Sequence, residues 1–162
     1  MKRLSREHHI YVLEPHSAPA IIVDSGEELI VETWDAFEGE RDPVALEANL
    51  LKGPATGPIY INGAEPGDAL RVEFISITPK EGAAHMVMPG RGFLEDDFTE
   101  AYPTVIELES GHAVLPNGIR IPLRPSMGLV ATTPTYTQQT ASASGTYGGD
   151  IDMQELVAGS TL

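Results

Sequence analysis

Gly53-Pro54-Ala55-Thr56-Gly57-Pro58-Ile59-Tyr60-Ile61-Asn62-Gly63-Ala64-Glu65-Pro66-Gly67-Asp68-Ala69-Leu70-Arg71-Val72-Glu73-Phe74 sets short apolar runs between chain-breaking residues. Ile59-Tyr60-Ile61 alternates. In the second run Leu70, Val72 and Phe74 face one way and Arg71 and Glu73 the other, which is the period of a half-buried strand. Glu65-Pro66-Gly67-Asp68 between them places proline second and glycine third, as a type II turn requires. The parity slips at Phe74-Ile75 before Ile77, which predicts a β-bulge.

The same texture extends in both directions. Leu29-Ile30-Val31-Glu32-Thr33-Trp34 and Ile106-Glu107-Leu108-Glu109 alternate, and residues 112–115 and 119–123 flank Pro116-Asn117-Gly118. Asn117-Gly118 predicts a type I′ hairpin, and Pro122, lacking a donor, belongs at a sheet edge or strand end. The 16 Gly and 13 Pro in 162 residues exceed the usual ~7% and ~5%, so turns are frequent. Two helices are expected: 44–52, started by Asp42-Pro43 and stopped by Gly53, and 153–158, with Asp152 as N-cap and Gly159 as stop. The polar stretch 132–149 reads as a loop longer than the ~12–15 residues usual for an idle connection. The expectation is one mainly β, sandwich-like domain over residues 1–162 with a few short helices.

Charge narrows the partners. With 24 acidic against 10 basic residues the net charge is −14, and no Lys/Arg stripe is present, so a phosphate backbone would be repelled. Small neutral or cationic molecules and divalent metals remain. No apolar run approaches the ~18–20 residues of a membrane-spanning helix, and the basic Met1-Lys2-Arg3 start has no apolar core behind it, so a cytoplasmic protein is expected. The absence of cysteine excludes disulfides, thiolate zinc sites and thiol nucleophiles.

Among chemistry-bearing residues, Gly148-Gly149-Asp150-Ile151-Asp152 stands out. The glycines allow backbone turns that bring both carboxylates to one cation; the competing reading makes Asp152 a helix cap and leaves Asp150 in solvent. Asp35, at the exit of the run 29–34, is a second candidate, against a plain turn role. His8, His9, His16, His85 and His112 show no H-x-x-x-H or H-x-H spacing, and His8-His9 reads as solvated. Arg91 between Gly90 and Gly92 lacks a phosphate-loop spacing and reads as a tight turn. No G-x-S-x-G occurs, so Ser142, Ser144, Thr137 and Thr140 read as loop composition.

Four blocks carry a resemblance: Glu32-Thr33-Trp34-Asp35-Ala36; Gly53 to Leu70 as quoted above; Ile121-Pro122-Leu123-Arg124-Pro125-Ser126-Met127-Gly128; and Gly148 to Asp152. In this order they resemble the acetamidase/formamidase family. The resemblance implies a β-rich fold and hydrolysis of short-chain amides such as formamide or acetamide to carboxylate and ammonia, assisted by a divalent metal, zinc or calcium. It implies Asp35 and Asp152 as catalytic and Asp35, Asp150 and Asp152 as metal ligands, Asp150 standing where the family carries Asn or Asp. Members of the family are longer, continuing past the match to Leu162, so a truncated chain and a homo-oligomer that covers its open edges are expected. The alternative is a catalytically incomplete β-module that self-associates.

Overall fold

The computed structural model describes residues 1–48, 53–80, 82–140 and 143–162. The frequent turns break the chain into strands of two to eight residues, and these form six small sheets among the described residues. β1 (Lys2–Leu4) runs parallel to β5 (Leu29–Val31), and β4 (Ile21–Val23) runs parallel to β7 (Ile59–Ile61). β2 (His9–Ile10) pairs antiparallel with β6 (Ala55–Thr56), and β3 (Val12–Leu13) with β13 (Gln138–Gln139). Four antiparallel strands lie in the order β11 (Arg120–Pro122), β10 (His112–Val114), β9 (Tyr102–Glu109), β8 (Ala83–Val87). Three more lie in the order β12 (Leu129–Ala131), β15 (Gly148–Asp150), β14 (Ser144–Gly145). The architecture is mainly β, as the turn spacing predicts.

Local chemistry accounts for several elements. Gly67 has φ 104° and Asp68 N–H donates to Glu65 C=O at 3.0 Å, the type II turn expected of Pro66-Gly67. Pro122 sits on β11, an edge strand. The hairpin between β10 and β11 forms, but not through a type I′ turn: Gly118 has φ 82° while Asn117 is not left-handed. Gly118 N–H donates to Leu115 C=O at 2.8 Å, closing a turn over Pro116-Asn117. Pro116 locks φ near −65° at the first loop position, which selects a type I turn followed by a glycine bulge in a three-residue loop. Val72 and Phe74 are half-buried, and their backbones bond to Leu162 and Ser160 at 2.9 and 3.0 Å.

Among the described residues one short helix forms. α1 (Pro43–Ala48) begins as expected, with Ala45 N–H donating to Asp42 Oδ1 at 3.0 Å; positions 49–52 of the expected helix lie outside the described residues. The helix expected at 153–158 does not form. Asp152 has φ 44°, which a helix N-cap does not adopt, and the segment instead turns, Leu156 N–H donating to Met153 C=O, before Val157 bridges to Ser126. The stretch 132–149 is also not an empty loop, since it supplies β13 and β14 and the start of β15; Ser142 lies outside the described residues.

Leu4, Leu13, Val23, Leu46, Ala143 and Leu156 form the buried apolar set. Among the described residues Thr140 is the buried polar one, 0% exposed. Its hydroxyl lies 2.9 Å from the Tyr11 carbonyl and within reach of the Gly53 carbonyl, tying the N-terminal strands to the segment before β6. Thr140→Val keeps the shape and removes the donor, so urea unfolding is expected to show a loss of ~1–3 kcal/mol. An unchanged midpoint would deny Thr140 this tying role.

Candidate active site

Two of the four signature blocks meet at one place. β12 follows Gly128 and pairs with β15, matching Leu129 to Asp150, Val130 to Gly149 and Ala131 to Gly148. The glycines are dictated by crowding. A Cβ on Gly148 (φ 89°) would lie 2.3 Å from the Val130 carbonyl oxygen, and one on Gly149 (φ 112°) would lie 2.2 Å from that of Ala143. Beyond them, Ile151 and Asp152 both donate their amides to the Gly128 carbonyl at 3.0 Å. That shared acceptor holds Asp152 in the left-handed region, which Asp tolerates better than most residues.

The turn brings the carboxylates together over Gly128. A Cβ there would stand 2.7 Å from Asp152 Oδ1, so Asp152 fills the space a side chain would take, and 4.0 Å from Asp150 Oδ1, which lies alongside. Burial, and then the charge of Asp152, raise the pKa of Asp150 above the ordinary aspartate value of 3.8. A folded-state pKa above the unfolded one means the native state binds the proton more tightly. Stability is therefore lost as pH rises from about 3.8 to the native value, and the deficit persists at pH 7. Asp150→Asn is expected to melt at a higher temperature than the parent at pH 7 and to lose that advantage at pH 3. A difference in melting temperature that does not change with pH would contradict the assigned burial and repulsion.

Asp35 has its oxygens engaged within its own turn. Oδ1 accepts the amides of Phe37 and Gly39, each at 3.0 Å, and Oδ2 pairs with the Arg41 guanidinium. It shapes the turn 35–39. Among the described residues no three His, Cys, Asp or Glu side chains gather as a metal-holding group, so Asp35 is not brought into one with Asp150 and Asp152.

The other two signature blocks meet at a second cluster, which sequence spacing does not reveal. Thr56 Oγ1 donates to the Glu32 carbonyl at 2.8 Å, and β6 pairs His9 with Thr56. His9 is not solvated as expected: its ring stacks edge-on to Tyr11, with Nε2 3.2 Å from the phenol oxygen, and the Tyr11 hydroxyl donates to Glu38 Oε1. His8, its neighbour, is exposed.

The acetamidase/formamidase family model matches residues 9–146. Among solved structures, an acetamidase from Bacillus halodurans is similar, with a TM-score of 0.89 and 28% identity, covering 98% of this chain and 55% of its own. A predicted acetamidase/formamidase from Thermoanaerobacter tengcongensis gives 0.92 and 28%, covering 99% and 55%. A gamma lactamase from Delftia acidovorans, at 0.76 and 19% identity over 93% and 53%, shares the fold. The chain thus spans little more than half the length of these solved relatives. No curated protein matches it.

Proposed function

The chain belongs to the acetamidase/formamidase family, and from that premise we propose that it serves the hydrolysis of short-chain amides such as formamide and acetamide, with Asp150 and Asp152 as the reacting pair. The observation that supports this is the convergence of two carboxylates over a glycine, one of them with its proton affinity raised. A raised pKa makes Asp150 a better proton acceptor than an ordinary carboxylate. In this reading water attacks the amide carbon while its proton passes to Asp150. The tetrahedral adduct then collapses with cleavage of the C–N bond, the proton moves from Asp150 to nitrogen, and ammonia leaves. Asp152 adds through its charge to the basicity that burial gives Asp150.

A divalent cation fits the pair in part. Two oxygen donors of like charge suit a hard ion such as calcium better than zinc, which favours nitrogen and sulfur. Asp35 does not fit as a third ligand while Arg41 holds it. When bound, a cation there would polarise the amide carbonyl or acidify water.

The self-associating module is the second reading, favoured by Ile22 and Tyr60, each 50% exposed on the two-stranded sheet of β4 and β7, which no further strand joins among the described residues. One preparation tests both readings. Ammonia release from formamide and acetamide, with and without added calcium or zinc, is expected from the chain, and sedimentation is expected to give a homo-oligomer. No ammonia from any short amide would reject hydrolysis for this chain, ammonia release would reject the catalytically incomplete module, and a clean monomer would reject self-association.

A further inference from the structure

We propose that Asn117 is a site of self-modification: in the folded chain it loses ammonia through a succinimide, while Asn62, followed by the same residue, is protected. Asn-Gly occurs at 62–63 and at 117–118. Both asparagines are exposed, and both glycines are left-handed, with φ 80° and 82° and nothing within 4 Å of the place a Cβ would take. A following residue without a side chain lets its amide nitrogen reach the asparagine carboxamide. The two dipeptides are matched in this, and their side-chain contacts separate them.

At the tip between β10 and β11, Asn117 Oδ1 accepts the Ile119 amide at 3.2 Å. Only the oxygen of a carboxamide accepts, so the orientation is fixed, and this Asx turn folds the side chain back along Gly118. In the reaction the Gly118 amide gives its proton to a solvent base and its nitrogen bonds to Asn117 Cγ, which places negative charge on Oδ1. The Ile119 N–H already faces that oxygen and binds it more strongly once it is charged. The adduct collapses with cleavage of the Cγ–Nδ2 bond, the nitrogen takes up a proton, and ammonia leaves. Water then opens the ring at either carbonyl, giving aspartate or an isoaspartate whose main chain runs through Cγ. Each conversion adds one negative charge to the hairpin tip, and isoaspartate lengthens the connection by one atom.

Asn62 is directed elsewhere. It follows β7 as Asp24 follows β4, the strands being parallel with Val23 opposite Ile61, and its Nδ2 donates across to Asp24 Oδ1 at 2.8 Å. The carboxamide thus reaches to the neighbouring strand rather than along its own backbone. Each site has one hydrogen bond to release: at 118 the amide leaves the neutral Leu115 carbonyl, 2.8 Å away, whereas Asn62 must leave a carboxylate, a bond about twice as strong. The Asp24 charge also opposes both the deprotonated Gly63 amide and the oxyanion, and like charges about 4 Å apart repel by a factor of about fivefold even in water. Neither Asp150 nor Asp152 takes part, so the proposal stands whether or not the amide reading does.

Peptide mapping of the intact chain, held in warm, mildly alkaline buffer and digested at intervals, follows the two sites separately. Asn117 is expected to convert at least about fivefold faster than Asn62, with isoaspartate among its products. In urea, where both sets of contacts are gone, the two rates should converge, since glycine follows each asparagine. Asp24→Ala removes charge and acceptor together, and in the folded chain it should speed Asn62 by about fivefold or more while leaving Asn117 unchanged. Equal rates in the folded chain, a faster Asn62, a ratio that persists in urea, or an Asn62 rate unmoved by Asp24→Ala would each overturn the proposal.

Discussion

Gly149→Ala is expected to lower the unfolding free energy by about 2–5 kcal/mol, a large part of the ~5–15 kcal/mol that holds a domain together. Two costs combine. At φ 112° an L residue is strained, which costs at least the ~1–2 kcal/mol of a left-handed residue. The added methyl would also lie 2.2 Å from the Ala143 carbonyl oxygen and 2.9 Å from the Ser144 Cα, both backbone atoms that no rotamer change can move aside. Overpacking of that kind costs ~1–3 kcal/mol. β14 must then separate from β15, and Asp150, whose amide donates to the same Ala143 carbonyl at 3.1 Å, loses its anchor. Gly26→Ala is the control, because Gly26 has φ 82° with nothing within 4 Å of the new atom and bears the backbone cost alone. Urea midpoints for the two variants measure the difference. Equal losses would show that the close approach of β14 and β15 contributes nothing.

That contrast shows what the sequence makes legible. Paired glycines before two acids announce a backbone that must turn, and the structure supplies such a turn. The reason lies in the carbonyls of Val130, on β12, and Ala143, just before β14, which press on β15 and which no local pattern names. Where structure depends on nearest neighbours, reading succeeds: Pro66-Gly67 makes its turn and Asp42 caps α1. Where it depends on distant pairing, reading fails. Gln138 and Gln139 look like loop because their partners, Leu13 and Val12, lie at the other end of the chain. Asp152 looks like a helix cap because Asp before an apolar stretch is one, until the Gly128 carbonyl captures two successive amides. His9 looks solvated because Glu38 reaches it from a separate turn. The signature blocks were visible in order along the chain, whereas their meeting in two pairs, one at Gly128 and one at Thr56, belongs to the fold.

Asp152→Asn is expected to reduce ammonia release at least tenfold, by weakening the base at Asp150, whose proton transfer is worth roughly 10²–10⁴-fold. Asparagine is the informative choice. It tolerates the left-handed region, so φ 44° and the two amide bonds to the Gly128 carbonyl persist, and it has the size of the side chain now lying over Gly128. What changes is charge. The repulsion that helps raise the pKa of Asp150 disappears, leaving burial as the cause of its shift, so Asp150 becomes a weaker base. The acidic limb of the pH–rate profile should therefore move to lower pH, while the melting temperature at pH 7 stays level or rises because two like charges no longer share the turn. The loss should fall mainly on kcat, since a neutral amide substrate gains little ground-state binding from a carboxylate that acts through Asp150. Activity within threefold of the parent, or an unmoved acidic limb, would remove Asp152 from the reaction and with it the role assigned to the pair.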